Sequence, residues 1–177
     1  MKTITTFALF LALASLSLVA QNPAKVNQDQ LKPFSYMIGS WKGTASIQQQ
    51  GGTSITVNQE EKISWQLDSL LINIEGIGRD PITNKKNFHA YAIIFYNSAT
   101  QQVGMKSFTM EGRQTDAYFK VITENQFEWG FDLPNNRGKI KYQIALSTKD
   151  KTWNEEGKFS QDGTQWFPFM SMNLVKQ

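Results

Sequence analysis

Cysteine is absent from this 177-residue chain, and histidine occurs once. The first absence excludes disulfides, thiolate nucleophiles and thiolate metal ligands together. The second leaves His89 as the lone imidazole, too few for a zinc site built from several His or Cys ligands. It also leaves a single candidate base for a Ser-His-Asp set, and no serine sits in a nucleophile-elbow context. A surplus of one charge is missing too. The 18 basic and 15 acidic residues are scattered, with Lys85-Lys86 the only adjacent basic pair, so there is no basic face for nucleic acid. Gly76-Ile77-Gly78 runs into Asp80-Pro81 rather than a third glycine opening a helix, which is not a dinucleotide fingerprint. Those glycines read instead as a bulge or a strong strand bend.

What is present begins with an export signal. Met1-Lys2 supplies a positive start, residues 7–20 form an apolar and small-residue run, and polar residues follow at once. This is the pattern of a secretory signal peptide over residues 1–20, with cleavage expected after Ala20 and Ser17 as the second choice. The run is too short to span a bilayer, so no stable membrane span is expected in the mature chain. An exported location, periplasmic or extracellular, follows. Residues 21–28 read as a flexible leader. Residues 29–38 have the spacing of one or two helical turns, with Asp29 as cap and Leu31, Phe34 and Met37 or Ile38 on one face.

From Gly39 onward the hydrophobic period is two. Trp41, Gly43, Ala45 and Ile47 alternate with polar neighbours, and Val57, Ile63, Trp65 and Leu67 do so further on, with Gln59 and Glu61 on the same face. Further strands read at 70–79, 88–97, 103–110, 115–122, 126–133, 138–147, 151–160 and 166–175. Turn-forming clusters such as PNNRG and QDGT separate them. About ten strands at regular spacing with short links predict an antiparallel meander, because parallel pairing needs crossovers of a dozen residues or more. Closing the meander into a barrel removes its exposed edges. The expected fold is therefore all-β: an antiparallel up-and-down barrel of about ten strands with a short N-terminal helix, one domain over residues 29–177.

The segment Met37-Ile-Gly-Ser-Trp-Lys-Gly43, a Gly-x-Trp heading the first strand after a short helix, resembles the calycin barrels: lipocalins, fatty-acid-binding proteins and nitrobindins. Together with Phe127-Glu-Trp-Gly-Phe131 and Trp153-Asn-Glu-Glu-Gly-Lys-Phe-Ser160, it is similar to exported bacterial lipocalin-like domains. The resemblance spans roughly the whole mature chain. It implies that Trp41 plugs one barrel end. From the nitrobindin side it implies haem held by a histidine near the C-terminal end of the barrel. The final strand here carries no histidine, and Met170 and Met172 are its possible iron ligands.

The reading is a non-catalytic barrel holding a small apolar ligand with one polar end, and no cofactor. Its alternatives are a haem protein of nitrobindin type acting on reactive nitrogen species, or a ligand-free interaction module of the envelope. The expected ligand-binding residues are Trp65, His89, Phe119, Trp129, Tyr142 and Glu155. Among these, Glu155 is a carboxylate sharing its face with Trp153, Gly157 and Phe159. Such a group is costly to bury without a partner. His89 is the expected donor to it, provided its strand turns His89, Tyr91, Ile93 and Phe95 inward, with Arg113 as second choice.

Overall fold

In a computed structural model, residues 22–49 and 51–177 are described; the expected signal peptide, residues 1–20, lies outside them. The chain enters as a helix, α1 (Pro23–Leu31), and tightens into a 3-10 turn, Lys32–Met37. The helix starts earlier than the spacing predicts, so residues 23–28, expected as part of a flexible leader, form its first turns. The reason is local. Asn22 accepts a hydrogen bond from the Ala24 N–H at 3.0 Å, and Pro23 occupies the first helical position, where its missing N–H costs nothing. Leu31, Phe34 and Met37 are buried, the face the sequence predicts.

Ten strands follow: β1 (Gly39–Gln48), β2 (Ser54–Gln66), β3 (Leu71–Arg79), β4 (Lys86–Asn97), β5 (Gln102–Thr109), β6 (Gln114–Thr123), β7 (Gln126–Asp132), β8 (Lys139–Ser147), β9 (Thr152–Ser160) and β10 (Phe167–Lys176). Each pairs antiparallel with its sequence neighbours, and β10 returns to β1 to close the barrel. Closure leaves no free edge. On the outer wall, charges of opposite sign stand directly across from one another. Lys42 meets Glu60, Lys106 meets Asp116, Lys120 meets Glu128 and Lys139 meets Asp132, all at 2.9 Å or less. Exposed pairs of this kind favour the register more than they add stability.

One end is shut. Gly39 enters β1 at φ +132°, a conformation that glycine adopts without a Cβ penalty. Two residues on, Trp41 is fully buried, donates its indole N–H to the Met37 carbonyl at 2.7 Å and meets Trp153 edge-on at 5.6 Å. Lys176, at the end of β10, donates to the Tyr36 carbonyl at 2.8 Å, with its ammonium over the Tyr36 and Trp41 rings. The last strand thereby fastens the plug. Phe34 seats against Phe119 at 5.2 Å and Phe127 at 5.1 Å, and Ile72, Ile94, Met105, Ile144 and Leu174 complete a sealed layer. Beside Phe34 the β5–β6 ladder stops at Gly104↔Tyr118. A groove of about 460 Å³ opens there, with Pro33, Phe34, Val103, Phe119 and Val121 among its walls.

Candidate functional site

The other end of the barrel is built differently. Inward positions of β7, β8 and β10 carry a run of rings: Phe131 lies parallel to Trp129 at 6.3 Å, Trp129 stacks on Tyr142 at 3.8 Å and 10°, and Tyr142 meets Phe169 edge-on at 5.8 Å. The Trp129–Tyr142 stack is fixed by register, because the two residues are direct partners across β7 and β8. Opposite them, β3 to β6 turn small side chains inward: Gly76, Gly78, Ala90, Ala92, Ser107 and Ala117. Ala90, Ser107 and Ala117 are partly exposed, as are Phe131, Ile140 and Phe159, whereas Gly76, Gly78 and Ala92 are buried. Solvent therefore reaches part of the inner wall at this end.

Polar side chains line the floor between the two ends. Glu155 on β9 is 7% exposed, and each carboxylate oxygen accepts an indole N–H, from Trp129 at 2.9 Å and from Trp153 at 3.1 Å. Burial pushes its pKa up to about 7, while the two indole donors pull the other way. Glu61 on β2 is 8% exposed and accepts from the Gln59 amide at 2.7 Å. Burial pushes it up to about 8; the Gln59 hydrogen bond opposes this and the charge of Glu155 adds to it. Tyr142 is likewise held above the usual phenol range, first by burial and then by the nearby Glu155 charge. Both β2 side chains occupy space that bare backbone provides. A Cβ on Gly76 would come within 2.7 Å of the Glu61 carboxylate, and one on Gly78 within 2.9 Å of the Gln59 oxygen.

Of the six expected ligand residues, Trp129, Tyr142 and Glu155 come together here. The register on β9 is the predicted one: Glu155 is buried and its neighbour Glu156 is exposed, paired with Lys158 at 2.7 Å. Phe119 faces inward but lies in the sealed layer against Phe34 and Phe127. Trp65 also faces inward, at the plugged end of β2 opposite Ile72. His89 is on the outer face of β4. The inward set there is Phe88, Ala90, Ala92 and Ile94, not His89, Tyr91, Ile93 and Phe95. On the outside His89 contacts Glu75 at 3.0 Å and Lys86 at 3.1 Å, so the Glu155 donors are the two indoles instead. Arg113 likewise pairs elsewhere, with Glu111 at 3.5 Å. Gln59 and Glu61 are the floor residues absent from the expected set. Their signal was the glycines on neighbouring strands, which alternation alone does not connect to them.

Histidine-held haem does not fit this interior, because the chain's one histidine points away from it. Among the described residues no three His, Cys, Asp or Glu side chains come together as a metal site. No helix among them is long and apolar enough to cross a membrane.

No family model and no curated protein matches the chain. Solved structures do. Rv2717c from M. tuberculosis superposes with a TM-score of 0.62 at 11% identity, covering 88% of this chain and 98% of that one. The S-type phycobiliprotein lyase CPES from Guillardia theta superposes with a TM-score of 0.56 at 12% identity, with the same coverage. At such identities the likeness is one of fold. With the closed ten-strand meander, it shows that this chain shares their barrel fold, the architecture expected of a calycin-type barrel.

Proposed function

We propose that this chain is an exported, non-catalytic barrel that binds a small, largely apolar ligand in its open half. One observation carries the reading: the aromatic wall of Phe131, Trp129, Tyr142 and Phe169 faces small residues across the barrel, and the inner surface between them is partly exposed. Small-molecule sites combine apolar walls with a few placed polar groups, and barrel mouths are a common location. Here the polar groups are Glu155, Glu61 and Gln59. Their arrangement supports binding over acid–base chemistry, since the lone histidine is outside and no hydroxyl nucleophile hydrogen-bonds to either carboxylate among the described residues. Export rests on the basic start and apolar run of residues 1–20.

Two experiments test the proposal. Protein from an envelope fraction should start at Gln21 on N-terminal sequencing; a start at Met1 refutes cleavage. The purified mature protein should enhance the emission of N-phenyl-1-naphthylamine, a neutral apolar probe, and Ala117→Trp, which fills the mouth, should abolish the enhancement. Full enhancement in that variant places the probe outside the barrel.

A further inference from the structure

The floor of the open half holds more acceptors than donors. Glu155 has its two indole N–H groups, and Glu61 Oε1 has the Gln59 amide. Glu61 Oε2 and the Gln59 oxygen meet no donor among the described residues, although their side chains are 8% and 4% exposed. Thr109 Oγ1 is the one sealed side-chain polar atom left without a partner there. The two free acceptors are not among the sealed atoms, and each lies against the bare backbone of Gly76 or Gly78 at the inner wall. The strand residues Lys42, Lys62, Arg79, Lys106, Lys139, Lys141 and Lys158 alternate to the outer wall. Lys86 at the start of β4 reaches His89 on the outside, and Arg113, in the β5–β6 turn, is near enough to Tyr142 to oppose the rise in its pKa. The interior thus has acceptors and two ionisable carboxyls at its floor and a flat aromatic wall beside them, with Arg113 at the rim and no strand lysine or arginine among the described residues turned toward the floor.

We infer that the ligand is a protonated amine on a flat apolar body, with its head held at the floor by Glu61, Gln59 and Glu155. This rests on the open half being the ligand site, as proposed above. A primary ammonium has three N–H donors and no acceptor. It can supply Glu61 Oε2 and the Gln59 oxygen and still reach a second lone pair on Glu155. A neutral hydroxyl satisfies one of them, and a carboxylate meets like charge. A buried carboxylate without a counter-charge is costly, and an incoming cation removes that cost. Burial makes both carboxyls hold their protons up to about pH 7 and 8, so a cation that pairs with them draws off those protons and should bind more tightly as pH rises through that range.

Three naphthalenes of matched shape test this by calorimetric titration at pH 7.5: 2-naphthylmethylamine, 2-naphthylmethanol and 2-naphthoate. The amine should bind at least about tenfold more tightly than the alcohol, and naphthoate most weakly. Glu61→Gln/Glu155→Gln should bring the amine-to-alcohol ratio close to one. Glu61→Gln alone, which leaves the indole bonds of Glu155 in place, should cut it several-fold and serves if the double variant does not fold. Equal binding of amine and alcohol overturns the inference and leaves the ligand site standing, as does a ratio that survives Glu61→Gln. Failure of all three to bind overturns the site itself.

Discussion

The two halves of this barrel use the same strands to opposite effect. At the plugged end Trp41, Phe34, Met37, Ile72 and Leu174 are fully or almost fully buried, and the Trp41 indole N–H is satisfied by a backbone carbonyl. At the open end, rings on β7, β8 and β10 face glycine, alanine and serine on β3 to β6, and two carboxyls sit at the boundary. The plug carries the hydrophobic stabilisation, because apolar area fully withdrawn from water contributes in proportion to that area. The open half gives up part of that area and accepts buried charge. A fold can tolerate this where the other half compensates, and the division assigns stability to one end and recognition to the other.

The largest expected effect comes from pH, because the open half buries two carboxyls, Glu155 and Glu61. Unfolded glutamates release their protons near 4.5, whereas Glu155 and Glu61 do so near 7 and 8 in the fold. Between those limits the folded state holds protons that the unfolded state has lost, so stability falls as pH rises and levels off above about 8. The slope is about 1.4 kcal/mol per pH unit for each carboxyl within its window, several kcal/mol altogether. Urea unfolding between pH 5 and 8 measures it, and Glu61→Gln/Glu155→Gln should flatten it. A wild-type protein equally stable at both pH values would mean that the floor is hydrated.

Next in size is the contrast between rings at the two ends. Trp41→Ala should cost about 3–5 kcal/mol, as for other buried large aromatics. Phe131→Ala, partly exposed at the mouth, should cost about 1–2 kcal/mol in proportion to the area it buries. Equal costs by urea unfolding would erase the distinction between plug and cup. Smallest of all, His89→Ala should change stability by no more than about 0.5 kcal/mol, as for other exposed sites with weak ion pairs. It should also leave probe binding intact, and a loss of binding would put the ligand on the outer wall.

Much of this was legible in the sequence, for identifiable reasons. The ten strands fall within one or two residues of their expected bounds because polar turns interrupt a period-two pattern cleanly. Faces were readable on β6 to β9, where charged residues alternate with apolar ones. They were not readable on β4, where both faces are apolar. Its inward set follows from pairing with β3, which places Ala90 beside Gly76 and Phe88 beside Gly78, and a register one residue away inverts the assignment. Height along the barrel was the other hidden quantity. Alternation shows that Phe119 and Trp65 point inward, but strand tilt decides that they meet the plug and not the cup. The start of α1 was missed for a different reason: the cap and first-turn proline, Asn22-Pro23, lie before any hydrophobic period begins.

The central claim, that ligand enters the open half and leaves the plug untouched, can be read from the five tryptophan side chains. Trp129 lines the cup, Trp153 reports from beneath it through Glu155, Trp41 and Trp65 belong to the plugged end, and Trp166 lies against Lys141 on the outer wall. In an amide–proton spectrum of nitrogen-labelled protein titrated with 2-naphthylmethanol, the Trp129 indole resonance should move most and that of Trp153 less. Those of Trp41, Trp65 and Trp166 should stay in place. A shift at Trp41 or Trp166 with Trp129 unmoved, or no shift at any indole, would contradict the account.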